Sequence, residues 1–463
     1  MFNLNYPTTD LVGADYNPRK IDEEGIGRLC ESVEALGIIK PIIVRGTTIV
    51  AGHQRTKALQ RLGILTAPAF VISKKTTAYD EIRFNQLHNG TDFDSGDEAA
   101  WITEDLTGKH GYIEVDHKNF EGNFRGKKAV VRSEICRLLG LYGNWGGCVA
   151  TPNGNIIHAA QYALAAVLNN MAIRVYVLSQ DQVESAKKYL PAVYGKFSYD
   201  NLQRDTFIQT FAQMFRLRGG DRDNKSPTYE KLVLPFLNSN KNSKVLDFGC
   251  GQGDYVKRLL KSGFNIIGIE FFRRKAGIDA FDLRAINGMV DALIESTLSS
   301  GRFDCVVCDY VMNSVDSIEA ENDVLNCLDI FCKEGGHIFL SGRSSERIES
   351  LQKMTKTSDR VRYIEFLDDD GFTALYRKGA WFYQKFHNKR QIKDLCKKRG
   401  WTIVKEHRTN IGWNIEIKKG VDVIPIEDVS QSLYREFNMP LNKKGKTLER
   451  GADILELLPC LQN

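Results

Sequence analysis

An apolar strand that runs into a glycine turn and straight on into a helix leaves few folds open to a chain, and residues 243–261 are such a stretch. Ser243-Lys-Val-Leu-Asp-Phe-Gly-Cys-Gly-Gln-Gly-Asp254 reads as a strand ending in glycines, and Tyr255–Lys261 continues with helical periodicity. The chain must turn sharply there and bring its backbone close to a ligand, which side chains would block. That is the loop of a nucleotide-like cofactor site in a doubly wound α/β domain. The glycines stand at Gly249-x-Gly251-x-Gly253, tighter than the spacing that seats a dinucleotide pyrophosphate, and Asp247 precedes them.

The segments that follow extend the same pattern. Asn265-Ile-Ile-Gly-Ile-Glu270 reads as a second strand ending in an acid, which can accept both hydroxyls of a ribose. Arg302-Phe-Asp-Cys-Val-Val-Cys-Asp309 reads as a fourth strand whose terminal Asp309 points into the ligand crevice. Gly335-Gly-His-Ile-Phe-Leu-Ser-Gly342 reads as a fifth, entered through a glycine turn, and Trp401–His407 with Asn414–Lys418 suit a closing antiparallel pair. In this order the segments resemble class I S-adenosylmethionine (SAM)-dependent methyltransferases. The resemblance implies that Asp247, Gly249, Gly251 and Gly253 lie against the amino-acid part of SAM, with Glu270 on its ribose. The alternative is another doubly wound domain, such as a nicotinamide enzyme, in which the glycines serve only as turns.

Methyl transfer from a sulfonium is an in-line displacement, so the protein chiefly positions the acceptor and, where needed, takes its proton. The segment after the fourth strand, Asp309-Tyr-Val-Met-Asn-Ser-Val315, offers Asp309 and Asn313 for that catalytic role; the bland reading is that both only cap strand and loop. The D/N-P-P-Y/F tetrapeptide of DNA amino-methyltransferases and the Pro-Cys nucleophile of cytosine-C5 enzymes are both missing from this segment, which holds no proline. From Ser226-Pro-Thr-Tyr229 through Tyr310-Val-Met-Asn313 to Gly379-Ala-Trp-Phe-Tyr-Gln-Lys-Phe-His387 the half-chain resembles the methyltransferases that accompany DNA phosphorothioation systems, which implies a link to DNA modification or defence. Lys385–Lys419 holds eleven Lys/Arg against three Asp/Glu, with Trp401 and Trp413 interspersed. Such a stretch can bind phosphates and stack bases, or it is a solvated helix followed by strands whose tryptophans are core.

At 463 residues the chain is too long for one core, and a net charge of +5 neither requires nor excludes a polyanionic partner. The N-terminus carries no basic-then-apolar leader and no apolar run is long enough to cross a bilayer, so no membrane association and a cytoplasmic protein are expected. Ten cysteines without framework spacing fit reduced thiols. Cys305 and Cys308 have CxxC spacing, but in a strand positions i and i+3 face opposite ways and cannot share an ion, so no metal is expected.

The N-terminal third carries a second signature. Asn17-Pro-Arg19 opens a helical pattern over Ile21–Leu36, Gly37–Arg45 holds a short strand, and Thr48-Ile-Val-Ala-Gly-His-Gln-Arg-Thr-Lys-Ala-Leu59 is a strand turning into a helix. Free backbone N–H groups and basic side chains then meet at Gly52, His53 and Arg55, an anion site suited to phosphate. These residues resemble the N-terminal domain of the ParB/sulfiredoxin superfamily. In partition proteins the equivalent stretch holds nucleotide phosphates as a CTP-dependent switch, which implies a nucleoside triphosphate here. No cysteine lies in Gly52–Arg55, which disfavours the sulfiredoxin branch, and no helix-turn-helix follows. A fainter echo runs through Gly111–Val115, Arg132–Leu141, Gly154–Ala166 and Arg174–Leu178, with Ala159, Ala160 and Tyr162 where Gly52, His53 and Arg55 stand.

The expected architecture is α/β: a Rossmann-like class I methyltransferase domain (226–420) preceded by one intact (1–92) and one degenerate (93–218) ParB-like α+β domain, with a polar linker at Gly219–Ser226. A C-terminal helical extension (421–463) follows, in which Leu448–Leu461 forms one short amphipathic helix. The expected function is SAM-dependent methylation of nucleic acid, DNA first, or of a nucleotide, in a DNA-modification, phage or defence setting, with the ParB-like part binding nucleotide or DNA. The alternative is a nucleotide-gated DNA-binding protein in which the methyltransferase fold is a SAM-binding scaffold; a small-molecule or protein methyltransferase comes third.

Overall fold

The computed structural model describes residues 1–17, 19–73, 76–90, 100–122, 129–192, 194–199, 202, 217, 224–275, 280–352, 367–377, 380–409, 412–441 and 447–462. The chain forms two compact units, Met1–Leu202 with Ile348–Asp370, and Gln203–Arg347 with Gly371–Asn463. Most of the expected linker lies outside the described residues, at 218–223.

In the first unit, β1 (Phe2–Pro7), α1 (Glu23–Leu36), β2 (Ile42–Arg45), β3 (Thr48–Ala51), α2 (His53–Arg61), β4 (Thr66–Val71) and α3 (Ala78–Gly90) follow one another. Asp22 caps α1 by accepting from the Gly25 N–H, which fixes the start of the helix expected from Ile21 onward. The sheet runs β1-β4-β2-β3, closed at the β3 edge by Val12–Gly13. β4 is antiparallel to β1 and parallel to β2, while β2 and β3 form a hairpin. Then β5 (Gly111–Val115), α4 (Ala129–Tyr142), β6 (Cys148–Ala150), β7 (Ile156–His158), α5 (Ala160–Leu168), β8 (Ile173–Val177) and α6 (Gln182–Tyr189) repeat the sequence of elements. Their sheet runs β5-β8-β6-β7 with the same pattern of parallel and antiparallel pairs.

The two repeats bury one core together. Ile43, Val50 and Phe70 from the first sheet lie in the same apolar cluster as Leu138, Trp145, Tyr162, Leu164 and Val175 from the second repeat. Neither sheet covers both of its faces alone, so the repeats make one unit where the sequence suggested two domains.

The second unit is built on α7 (Leu234–Ser239), β9 (Val245–Phe248), α8 (Asp254–Lys261), β10 (Ile266–Ile269), α9 (Leu283–Ser300), β11 (Phe303–Cys308), α10 (Ile318–Phe331) and β12 (Cys332–Ser344). The hairpin β13 (Phe372–Arg377) and β14 (Ala380–His387) follows, then α11 (Lys389–Lys398), β15 (Thr402–Arg408), β16 (Gly412–Lys418) and α12 (Ile426–Glu436). The sheet order is β10-β9-β11-β12-β16-β15, and β14 pairs with the far end of β12. Strands β9 to β12 are parallel and β16 is antiparallel to both its neighbours, the closing pair expected from the sequence.

Arg302–Asp309 supplies β11, which lies beside β9, the place of a fourth strand in a 3-2-1-4-5 order, although among the described residues no third strand stands between β10 and β11. The 18-residue α9 fills that stretch, capped by Asp282. Cys305 and Cys308 are both fully buried in β11. The C-terminal stretch is helical as expected, but Leu448–Leu461 holds two short helices, Gly451–Leu455 and Leu458–Gln462, not one. Helix α12 docks on α10 through Asp323, which accepts from Ser432 and Arg435.

Trp401 and Trp413 are core side chains, 4% and 1% exposed, donating to Asp329 and to the Arg343 carbonyl. Three cations of the basic stretch are also buried: Lys385 near Glu321, Lys419 between Asp329 and Asp422, and Arg399 on Asn326. Exposed positive charge from this stretch is thereby reduced, chiefly to the outer face of α11 (Lys389, Arg390, Lys393, Lys397, Lys398) and neighbouring β15 residues. Among the described residues no helix is long and apolar enough to cross a membrane.

Candidate functional site

The C-terminal ends of β9, β10 and β11 bring three acids to one place. Asp247 is 3% exposed; its Oδ2 accepts from the Tyr229 hydroxyl at 2.6 Å, and its Oδ1 is buried without a hydrogen-bond partner among the described residues. Burial raises its carboxyl to about 8, and the neighbouring Asp309 and Glu270 push the same way while Tyr229 opposes. Glu270 accepts from the Gly251 N–H (2.9 Å) and the Phe272 N–H (2.8 Å), so it braces the glycine loop that it follows. Burial raises its carboxyl too, against those two N–H groups. Asp309 accepts from Thr228 Oγ1 (2.5 Å) and Ser341 Oγ (2.8 Å), and burial likewise shifts it upward.

The loop between these acids is held open by its glycines. Gly249, Gly251 and Gly253 have φ of 85°, 59° and 67°, a region where a side chain costs energy. At Gly249 a Cβ would also meet Val311 Cγ2 at 2.3 Å, so the Asp309–Val315 loop lies directly over the turn. Arg273 donates to the Gly251 carbonyl and clamps the turn from the other side. Tyr310, next to Asp309, is itself in the left-handed region (φ 59°), a strained conformation that often marks functional loops. Asn313 is 5% exposed and its Oδ1 has no hydrogen-bond partner among the described residues, while its carbonyl accepts from the Lys385 N–H. Loop glycines, acids and the Asp309–Asn313 segment, each expected from the sequence, therefore converge.

Sequence reading missed the hydroxyl-bearing supports. Tyr229 stacks on Tyr255 with ring centroids 4.0 Å apart and planes 6° from parallel, and this places its hydroxyl on Asp247. Thr228 bridges Asp309 and Asn414. Both lie in Ser226-Pro-Thr-Tyr229, whose only signal was the family resemblance. Nothing in their spacing announces a partner 18 or 81 residues away.

In the first unit the turn between β3 and α2 is a second candidate. Gly52 has φ 95°, and a Cβ there would sit 2.9 Å from Ile42 Cγ2 and 3.2 Å from Arg55 Nη2. Arg55 folds back over it to the Lys40 carbonyl. His53 Nε2 accepts from the Ala14 N–H at 3.1 Å. Burial, helped by Lys57, lowers His53 to about 4, so it is neutral at pH 7; the charge expected of it is missing, and the cations here are Arg19, Lys40 and Arg55. Gln54 donates to the Arg19 carbonyl and ties the Asn17–Arg19 segment to the first turn of α2. These groups line a cavity of about 150 Å³, and among the described residues no carboxylate is on its wall.

The equivalent turn of the second repeat is built differently. Ala159 takes the place of Gly52 with φ 58°, and Tyr162 takes the place of Arg55. The Tyr162 hydroxyl donates to Asn144 and accepts from the Gly146 N–H, and its ring packs on Trp145 at 4.7 Å. What remains is a cavity of about 20 Å³ lined mainly by apolar side chains.

Residues 222–406 match the family model described as a methyltransferase domain, and residues 4–85 match the one described as the ParB N-terminal domain. An uncharacterized methyltransferase of Alkaliphilus oremlandii is 26% identical over 137 residues, 30% of this chain and 62% of that protein. A nucleoid occlusion protein of Geobacillus thermodenitrificans is 35% identical over 82 residues, 16% of this chain and 29% of that protein. Among solved structures, a SAM-dependent methyltransferase from Clostridium acetobutylicum is 13% identical, with a TM-score of 0.28 over 43% of this chain and 94% of that one. The chain spans less than two thirds of the length of either relative.

Proposed function

We propose, for a chain that joins a ParB N-terminal domain to a methyltransferase domain, that the second unit binds SAM and transfers its methyl group to a nucleic acid or nucleotide, DNA first, while the first unit binds a nucleoside triphosphate. The observation that carries the SAM reading is the acid cluster. Burial shifts Asp247, Glu270 and Asp309 each upward, the two neighbouring acids push Asp247 further the same way, and the Asp247 Oδ1 has no hydrogen-bond partner among the described residues. A ligand with a sulfonium and an ammonium relieves that repulsion; a dinucleotide pyrophosphate would add to it. This favours SAM over the nicotinamide alternative.

In this reading Asp247 and the glycine turn hold the amino-acid end of SAM and Glu270 its ribose. The bound sulfonium supplies an activated methyl group. Asp309, held by two hydroxyls, sets the position of the Tyr310–Asn313 loop, and Asn313 Oδ1 is an acceptor for an N–H of the methyl acceptor. The family match at 4–85 and the carboxylate-free cavity at Gly52–Arg55 support the nucleotide reading of the first unit. The second repeat, with Tyr162 in place of Arg55, is a degenerate copy that does not grip phosphate at its own turn.

The test is transfer of label from methyl-tritiated SAM to host DNA, RNA and free nucleotides. Label in DNA or RNA that disappears in Asp247→Ala and falls at least tenfold in Asn313→Ala supports the reading. SAM binding without transfer to any of them favours the scaffold alternative.

A further inference from the structure

The cavity at Gly52–Arg55 is not closed by the first repeat alone. His158, at the end of β7, and Tyr189, Leu190, Pro191, Ala192 and Tyr194, from the end of α6 onward, form its remaining wall. His158 is 4% exposed and its Nε2 lies 3.3 Å from the ammonium of Lys40, itself 9% exposed. The wall is held in place by several contacts between the repeats. Tyr112 donates to the Ile38 carbonyl, Gln182 to the Leu36 carbonyl, and Lys196–Phe197 pairs with Arg19–Lys20. Leu36 and Ile39 share a small apolar cluster with Val149, Leu178 and Ala186.

The lining divides by chemistry. Arg19, Lys40 and Arg55 supply nitrogen donors, the His158 imidazole lies beside Lys40, and Gln54, nine-tenths buried, has an Oε1 without a hydrogen-bond partner among the described residues. Leu29 and Val33 of α1 share an apolar cluster with Tyr194, and Leu190, Pro191 and Ala192 line the same cavity. A cavity lined by one set of cations (Arg55 and Lys40 in contact, with His158) and one apolar, aromatic set (Leu29, Val33, Tyr194) fits a ligand that is charged in one part and flat and apolar in another. An ammonium has no acceptor to offer, so in the present arrangement His158 Nε2 accepts from Lys40. An entering phosphate oxygen takes over that role for Lys40, and the imidazole, taking a proton at Nε2 from solvent or by a change of tautomer, then donates to the same phosphate.

We propose that the second repeat, having lost a phosphate turn of its own, completes the first repeat's site within a single chain. His158 contacts the phosphate end of a bound nucleoside polyphosphate, and Tyr189–Ala192 with Tyr194 contact its nucleoside end. This rests on the nucleotide reading of the first unit, and it makes the site dependent on both repeats.

Binding of ATP, CTP, GTP, UTP and inorganic triphosphate to the full chain, measured by calorimetry, tests it. The expected result is a five- to tenfold or greater loss for His158→Ala with the preferred nucleotide and with triphosphate. Tyr194→Ala should lose affinity for the nucleotide and keep its affinity for triphosphate. Both variants should melt within a few degrees of the unaltered chain; if His158→Ala does not fold, His158→Gln and Tyr194→Ala carry the test. Unchanged affinity in these variants together with loss in Arg55→Ala overturns the proposal and leaves the nucleotide reading standing. No binding of any probe by the unaltered chain overturns both.

Discussion

Asp247 shows how a single buried carboxyl couples the site to pH. With its carboxyl raised to about 8 it holds a proton at neutral pH, and a cation placed beside it favours the ionised form. SAM binding is therefore expected to release a proton at pH 6–7 and to tighten as pH rises toward 8. Calorimetry in buffers of different ionisation enthalpy reads this directly, and binding without proton release would count against it. Tyr229→Phe removes the carboxyl's donor and leaves a buried oxygen unsatisfied, an expected cost of ~1–3 kcal/mol in denaturant unfolding. His53 works in the opposite sense. Lowered to about 4 in the fold, it contributes stability that is present above its unfolded value near 6.5 and is lost as pH falls through about 4. The size is ~3 kcal/mol, so unfolding of the first unit should be acid-sensitive between pH 6 and 4, and less so in His53→Gln. His53 was legible as a member of the turn, but its charge state was not, because burial depends on residues that meet it only in three dimensions.

At the scale of elements, the two strand-to-helix turns are the same device made from different residues. Gly52→Ala places a methyl group against Ile42 at φ 95° and is expected to destabilise by more than ~1 kcal/mol. Ala159 already holds the left-handed conformation with its methyl group in place, so Ala159→Gly is expected to gain ~0.5–1 kcal/mol. Thermal melting of the two variants should move in opposite directions; a loss in Ala159→Gly would contradict this reading of the turn. Most elements could be read from periodicity and glycine punctuation, including the strand before Gly52 and the helix that follows it, whose observed end at Arg61 lies two residues beyond the stretch read from the sequence. That no strand stands between β10 and β11 among the described residues could not, because the ordinal came from the resemblance and not from a pattern in the residues between them. Tyr162 could be seen as the loss of an arginine, but not as a side chain that fills the turn with a ring, since Asn144 and Trp145 reach it from another loop.

For the molecule as a whole, two compact units imply two ligand-linked stabilities. Scanning calorimetry is expected to resolve two transitions, with SAM raising one and a nucleoside triphosphate the other. At a hundredfold excess over Kd, each ligand should add ~2.7 kcal/mol to its own unit. The shared core of the two repeats is why the first unit should unfold in a single step, although the sequence divides it in two. The central claim, that the acid-lined glycine loop is a SAM site, is tested most directly by calorimetric titration of SAM into the unaltered chain, Asp247→Ala, and Arg55→Ala as a control in the other unit. The account predicts one SAM per chain, a loss of at least tenfold in Asp247→Ala, and no change in Arg55→Ala. Failure of the unaltered chain to bind SAM, or undiminished binding by Asp247→Ala, would contradict it.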